Sequence, residues 1–279
     1  MGAGRSGSTI LGVALGNCQG MFFAGELNRW LARKGVPRRE ELERRRFWQQ
    51  VSEQVAGAQE LFGMNLDSLE RSSSLFDPRK WRARRRLRPR YRAVSENLYR
   101  AIARAAGAEY IIDTSHYPLR AHELQALTGI DLYILYLVRD PRGVVASMAR
   151  EDVPERRFDM PTTNAYLWWT HLLSLLVFLR QPRERRVFVS HEDFLEDPDR
   201  ALADILRRLG SGAQPPPSSS LNTGVAFHGN RLVGSPQVIL ERRPRGRPQG
   251  SRVTYLLQLP WTGVFAVLKR SAAMGPAPR

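Results

Sequence analysis

The ten residues from Gly2 to Leu11, "GAGRSGSTIL", constrain the fold more than any other stretch, because a glycine-rich loop runs straight into an apolar segment. Ile10, Leu11, Ala14 and Leu15 recur at helical spacing, which puts the loop at a helix N-terminus. Backbone N–H groups and the helix dipole favour an anion there, and small glycines let it approach the main chain. Gly2, Gly7 and Thr9 fall on the G-x-x-x-x-G-K-[ST] frame of a phosphate loop, but Ser8 occupies the Lys position and the cation is Arg5, inside the loop. In a nucleotide hydrolase that Lys reaches the terminal phosphates, so its absence argues against a kinase or P-loop hydrolase.

From Glu96 onward the pattern is regular. A helix to Ala106 and a turn at Gly107 precede the short strand "EYIID", then a helix in "PLRAHELQALTG" and the unbroken apolar strand "LYILYLV". Asp140 can cap and Pro141 can open the next helix. A long helix through Trp168 and Trp169, the strand "RVFVS" and a helix from Pro198 to Leu209 follow. Such alternation predicts an α/β fold, a three-layer sandwich with a central parallel sheet, P-loop nucleotide-binding-like. One domain over residues 1–279 is expected, with a mobile, basic helical insertion at about 37–92 and a Pro/Ser loop at about 210–220. Ligands of open parallel sheets bind beyond the carboxyl ends of the strands. Three candidates stand there: the Gly2–Thr9 loop, residues 113–116, and Arg139 with its helix. Ser147, eight residues after Arg139, lies two turns into that helix, so that a guanidinium fork and a hydroxyl can face one phosphate.

The formal net charge is +16, carried almost wholly by arginine, with Lys only at 34, 80 and 269. Two readings stay open: a GC-rich codon bias, or a partner-binding surface, with "RKWRARRRLRPRYR" (79–92) as a nucleic-acid-binding segment. The single cysteine, Cys18, excludes a disulfide framework and a Cys-based zinc site. The apolar run from Ala165 to Leu179 is too short for the roughly 20 residues of a bilayer span and reads as a buried helix. With no signal-peptide pattern, a cytoplasmic location is expected.

Two motifs, in order, resemble those of the sulfotransferases that use 3′-phosphoadenosine 5′-phosphosulfate, bacterial members included. "GAGRSGSTIL" is similar to their 5′-phosphosulfate loop in its Arg form, and "YLVRDPRGVVASMAR" to their 3′-phosphate motif; "DTSHYPLR" lies between them. The resemblance implies a PAPS-dependent sulfotransferase. Its 5′-phosphosulfate would lie on Gly4, Arg5, Ser6, Gly7, Ser8 and Thr9, and its 3′-phosphate on Arg139 and Ser147. Arg5 would stabilise charge on the leaving phosphate, and no metal is implied. The acceptor would be a hydroxyl of a carbohydrate, lipid or small metabolite. Glu26 is the first candidate for general base and His116 the rival, or a nucleotide or substrate contact. "FHGNRLVG" resembles the segment that closes over the nucleotide in bacterial relatives, which makes Asn230 and Arg231 candidate nucleotide contacts. Relatives carry about six apolar residues before the loop, whereas Met1 directly precedes Gly2. The first strand is therefore expected to be missing or truncated, which suggests either an upstream start or a non-catalytic homologue. No stable nucleic-acid partner is expected on the enzyme reading.

Overall fold

In the computed structural model, which describes residues 1–64, 66–149, 160–244 and 251–273, helix ends fall where local chemistry puts them. The chain divides into two compact units. One comprises Met1–Ser8, Tyr133–Gly210 and Glu241–Arg279; the other comprises Thr9–Leu132 and Ser211–Leu240. They are called the first and second unit below.

The second unit takes in nearly all of α1 (Ser8–Gly16), then β1 (Met21–Gly25), α2 (Asn28–Ala32), α3 (Leu42–Glu53), α4 (Asp67–Glu70), α5 (Pro78–Ala106), β2 (Tyr110–Asp113) and α6 (Pro118–Leu124). Strands β1 and β2 pair in parallel, from Met21 opposite Tyr110 to Gly25 opposite Asp113. Helix α5 starts on Asp77, whose side chain accepts from the Arg79 amide, has Pro78 in its first turn, and stops at Gly107 in the left-handed region. The expected helix from Glu96 is thus only the last third of a much longer one.

Residues 37–92 are helical as read from the sequence, but they build the core of this unit and are no appendage. Trp48, Leu69, Leu87 and Tyr91 are buried with Trp30, Leu98 and Ile102. The arginines that made the stretch look irregular have an internal partner: Arg84, Arg88 and Arg92 reach the fully buried Glu123 of α6 at 3.3, 2.9 and 2.8 Å. Four-residue spacing puts them on one helix face, and their aliphatic stems cover apolar surface. Those three side chains are turned toward a carboxylate, the opposite of what a phosphate-tracking strip requires.

The first unit contains β3 (Ile134–Val138), α7 (Pro141–Met148), α8 (Met160–Arg180), β4 (Arg186–Ser190), α9 (His191–Glu196), α10 (Pro198–Leu209) and α11 (Arg252–Ala273). Strands β3 and β4 run parallel in unbroken register from Ile134–Arg186 to Val138–Ser190. The parallel pairing expected from the sequence is therefore present as one two-stranded pair in each unit. A short antiparallel pair, β5 (Ser220–Asn222) and β6 (Gln237–Ile239), follows the Pro/Ser loop in the second unit. Asp140 caps α7 through the Arg142 amide, with Pro141 in the first turn, as its sequence predicts.

Helix α8 departs from expectation. It buries Leu167, Thr170, His171 and Ser174, while Trp168, Leu172, Leu176 and Leu179 are exposed along the other side. The reason is a polar contact inside: the Tyr136 hydroxyl of β3 meets His171 Nδ1 at 3.0 Å, so the inward face is chosen by a hydrogen bond as well as by apolarity. Among the described residues no helix is long and apolar enough to cross a membrane.

Candidate active site

In the first unit, backbone geometry builds the loop before any side chain acts. The Met1 amino group donates to the Leu135 carbonyl at 2.8 Å and the Leu137 amide donates to the Met1 carbonyl at 3.0 Å. Met1 thus pairs alongside β3, and the loop springs from the carboxyl end of that strand. Gly2 has φ +148°, and a side chain there would strike the Leu137 carbonyl. Arg5 itself adopts φ +68°, a left-handed conformation that costs a non-glycine residue about 1–3 kcal/mol. Such strain is held only where the surroundings over-determine it.

Those surroundings are the residues the sequence singled out. Arg5 Nε donates to Ser147 Oγ at 3.3 Å, and Arg139 Nη1 donates to the Arg5 carbonyl at 3.0 Å. The loop cation, the strand-end arginine and the helix hydroxyl, up to 142 residues apart in sequence, thus form one chain of contacts. The Gly4 amide donates to the Tyr166 hydroxyl at 2.9 Å, which fixes the loop from α8. Ser6 is buried and its hydroxyl has no partner among the described residues. Arg139 forms no ion pair among the described residues; Asp140 is taken by Arg142 at 2.9 Å and Asp113 by Arg120 at 3.2 Å. Burial lowers the Arg139 pKa and the positive charges of Arg5 and Arg243 act in the same direction, against Glu192 and Asp140. Guanidinium groups crowded together in this way, with only Glu192 and Asp140 acting against them, can receive an anion.

His191, which the sequence reading passed over, completes this cradle. It follows β4 directly, and a side chain on Gly7 (φ +91°) would collide with its ring. Its Nδ1 is buried without a partner among the described residues. Its pKa is pushed down to about 4, first by burial and then by Arg139 and Arg243; burial alone does the same to His171. The unfolded chain, with histidines near 6.5, binds these protons first as pH falls. Stability is therefore expected to be constant above about pH 7 and to drop between about 6.5 and 4, by up to about 3 kcal/mol per histidine. Urea unfolding across that range measures the slope, and His171→Gln should remove its share of it.

In the second unit, the ends of β1 and β2 are stitched together by one carboxylate. Asp113 Oδ1 accepts from the Ser115 amide at 2.7 Å and the Leu27 amide at 3.3 Å, while Oδ2 accepts from the Tyr99 hydroxyl at 2.6 Å. The Asn28 amide donates to Ser115 Oγ at 2.9 Å. Glu26 and His116 project from these two stitched turns, and the His116 charge acts on Glu26. Both candidate bases therefore belong to one cluster. A third member was not foreseen: His228 Nδ1 lies 3.1 Å from Glu26 Oε2, and the Glu26 amide donates to the His228 carbonyl at 2.9 Å. Burial pushes the Glu26 pKa up, but the His228 hydrogen bond and the charges of His116, His228 and Arg29 outweigh it and hold the carboxyl below its ordinary range. Glu26 is ionised at neutral pH and oriented, as a proton acceptor must be.

The "FHGNRLVG" segment supplies the histidine of this cluster. Asn230 is occupied in capping the short turn Arg231–Gly234, accepting from the Leu232 amide at 2.8 Å, and Arg231 is exposed. Gly229 packs beside Val233 and within reach of Thr9, the buried second residue of α1. Among the described residues no group of His, Cys, Asp or Glu is arranged to hold a metal ion.

The family model described as "Sulfotransferase family" matches residues 1–215. This chain belongs to the sulfotransferase family. Solved structures agree with that membership at the level of fold. A sulfotransferase domain from the curacin biosynthetic pathway superposes with a TM-score of 0.52 at 14% identity, over 94% of this chain and 95% of that one. The sulfotransferase domain of the Synechococcus PCC 7002 olefin synthase gives 0.50 at 19% identity, over 94% and 92%. No curated protein sequence gives a match.

Proposed function

We propose that the chain transfers a sulfuryl group from 3′-phosphoadenosine 5′-phosphosulfate to a hydroxyl of a carbohydrate, lipid or small metabolite. The observation that carries this reading is the contact chain Arg139–Arg5–Ser147 around a strained glycine-rich loop. Arg139 and Ser147 address the 3′-phosphate, and the loop from Gly4 to Thr9 addresses the 5′-phosphosulfate through its amides, the hydroxyls of Ser6, Ser8 and Thr9, and Arg5. The acceptor oxygen attacks sulfur in line; the new S–O bond forms as the bond from sulfur to the 5′-phosphate oxygen breaks. Glu26 takes the acceptor proton, and Arg5 balances the charge that develops on the leaving phosphate. His116 contacts substrate or nucleotide beside Glu26, and Asn230 shapes the segment that carries His228. No step in this scheme uses a metal ion.

Calorimetry tests the donor half. Adenosine 3′,5′-bisphosphate should bind far more tightly than 5′-AMP, which lacks the 3′-phosphate. Arg139→Ala should weaken the bisphosphate by roughly ten- to a hundredfold, the value of a charge-assisted hydrogen bond of about 1.5–3 kcal/mol, and leave 5′-AMP little changed. Equal affinities for the two nucleotides would remove the proposal.

A further inference from the structure

We propose that the outer face of α8 and α11, in the first unit, is a docking surface for an anionic lipid bilayer, with the two helices lying in the plane of the interface; the inference stands apart from the sulfotransferase reading above. Both helices are turned the wrong way round for water. Between Ala165 and Leu179, α8 buries Thr170, His171 and Ser174, while Ala165, Trp168, Leu172, Leu176 and Leu179, at steps of three or four residues, form an exposed stripe. Helix α11 does the same. Its buried positions include Thr254 and Gln258, whereas Val253, Leu256, Leu257, Pro260 and Val267 are exposed at helical spacing, Leu256 to 66% and Val267 to 61%.

Hydrogen bonds fix this orientation. Asn164 Nδ2 donates to Thr254 Oγ1 at 3.3 Å, and Gln258 Nε2 donates to the Asn164 carbonyl and Oδ1 at 3.2 and 3.0 Å. With the Tyr136–His171 contact of α8, they hold the polar sides inward, and a rotation that hid the leucines would strand those groups. The two stripes adjoin where Trp168 Nε1 donates to the Leu257 carbonyl at 2.8 Å and the Trp168 ring meets Trp261 at 5.3 Å. An exposed apolar surface that continues from one helix to the next marks an interaction site.

Charge decides the occupant. Neither helix carries an Asp or a Glu, and the stripes end on exposed arginines: Arg180 after Leu179, Arg252 before Val253, and Arg270 shortly after Val267. Lys269 is held by Asp193 at 2.6 Å, and Arg142, 4.9 Å over the Tyr255 ring, by Asp140. A second copy of a chain with net charge +16 would set the same arginines against this face and bring no carboxylate from either helix to meet them. Anionic headgroups supply that negative charge, and the acyl boundary beneath them covers the leucines. Trp168, at the junction of the stripes, is of the residue type favoured at headgroup level. Because each helix keeps a polar side turned into the protein, the pair lies on the bilayer and does not span it.

Flotation of the full chain with lipid vesicles tests the inference. The chain should rise with phosphatidylcholine vesicles that contain phosphatidylglycerol, bind phosphatidylcholine alone more weakly, and lose affinity for the mixed vesicles as salt is added. Leu176→Gln combined with Leu256→Gln should weaken binding at least about tenfold, the effect of withdrawing even one leucine from an apolar phase. Arg180→Gln combined with Arg270→Gln should weaken binding to the mixed vesicles and leave binding to phosphatidylcholine little changed. Tryptophan emission should shift to the blue on binding, and Trp168→Phe should reduce that shift. All five positions are exposed, so urea unfolding should find each variant as stable as the unsubstituted chain. Failure to float with the mixed vesicles, or flotation indifferent to the leucine pair, overturns the inference. A concentration-dependent dimer in analytical ultracentrifugation, undone by the same leucine pair, also overturns it and assigns the face to a second copy.

Discussion

Glu26→Gln should lower kcat for sulfuryl transfer by roughly 10²- to 10⁴-fold, the usual contribution of a positioned general base, with donor affinity nearly unchanged. The substitution keeps the shape of the side chain and its contact with His228 while removing its basicity. His228 acts through Glu26: its ring holds the carboxylate 3.1 Å away and its carbonyl holds the Glu26 amide. His228→Asn, which keeps a donor, should therefore reduce kcat by less than Glu26→Gln and shift the acid limb of the kcat profile upward, because a group that holds the carboxyl low has been weakened. His116→Ala should raise KM more than it slows chemistry. Steady-state kinetics with labelled donor separate these outcomes. Normal turnover by Glu26→Gln beside an inactive His116→Ala would move the base to His116.

Arg120→Met should destabilise the protein by about 3–5 kcal/mol, the cost of stripping the partner from buried carboxylates. Arg120 is 3% exposed and donates to the Tyr91 and Tyr99 hydroxyls at 2.6 and 3.2 Å and to Asp113 at 3.2 Å, with Glu70 at 3.6 Å. Burial raises the Asp113 pKa, but the Arg120 charge and the hydrogen bonds of Ser115 and Tyr99 outweigh that and keep it ionised. Without Arg120 the site holds Asp113 and Glu70 with no cation between them. Because Asp113 also ties Leu27 and Ser115, the variant should lose the arrangement of Glu26 and His116 along with stability. Urea unfolding measures the first effect. Arg120→Met combined with Asp113→Asn should recover part of the loss, since the substitution removes one stranded charge; no recovery would show that packing, and not charge, governs the site.

The residue patterns with short reach were legible. The glycine loop leading into α1, the Asp140–Pro141 start of α7, the stop at Gly107 and the strands at 110–113, 134–138 and 186–190 all depend on neighbours within a few residues, where backbone conformation and capping are decided. Arg5, Arg139 and Ser147 could be picked out because helix spacing and strand ends point them to one mouth. Residues 37–92 are helical as expected, but arginine density hides that Leu87 and Tyr91 continue the apolar stripe of Val94, Leu98 and Ile102, which puts the stretch in the core.

Other features were decided only by tertiary structure. Glu26 and His228 are 202 residues apart, and no local pattern announces that one carboxylate and one imidazole will share a proton-sized gap. His191 opens the short acidic helix α9, and only the fold brings its ring against Gly7. Sequence alone determined the strands at 110–113, 134–138 and 186–190, the helix starts beside them and the glycine-rich turn ahead of α1, because those are settled by backbone geometry and periodicity; the strands Met21–Gly25, Ser220–Asn222 and Gln237–Ile239 came only from the structure. Which polar groups are left with partners and which are left to receive a ligand was settled by burial, a property of the folded chain and of no single stretch within it.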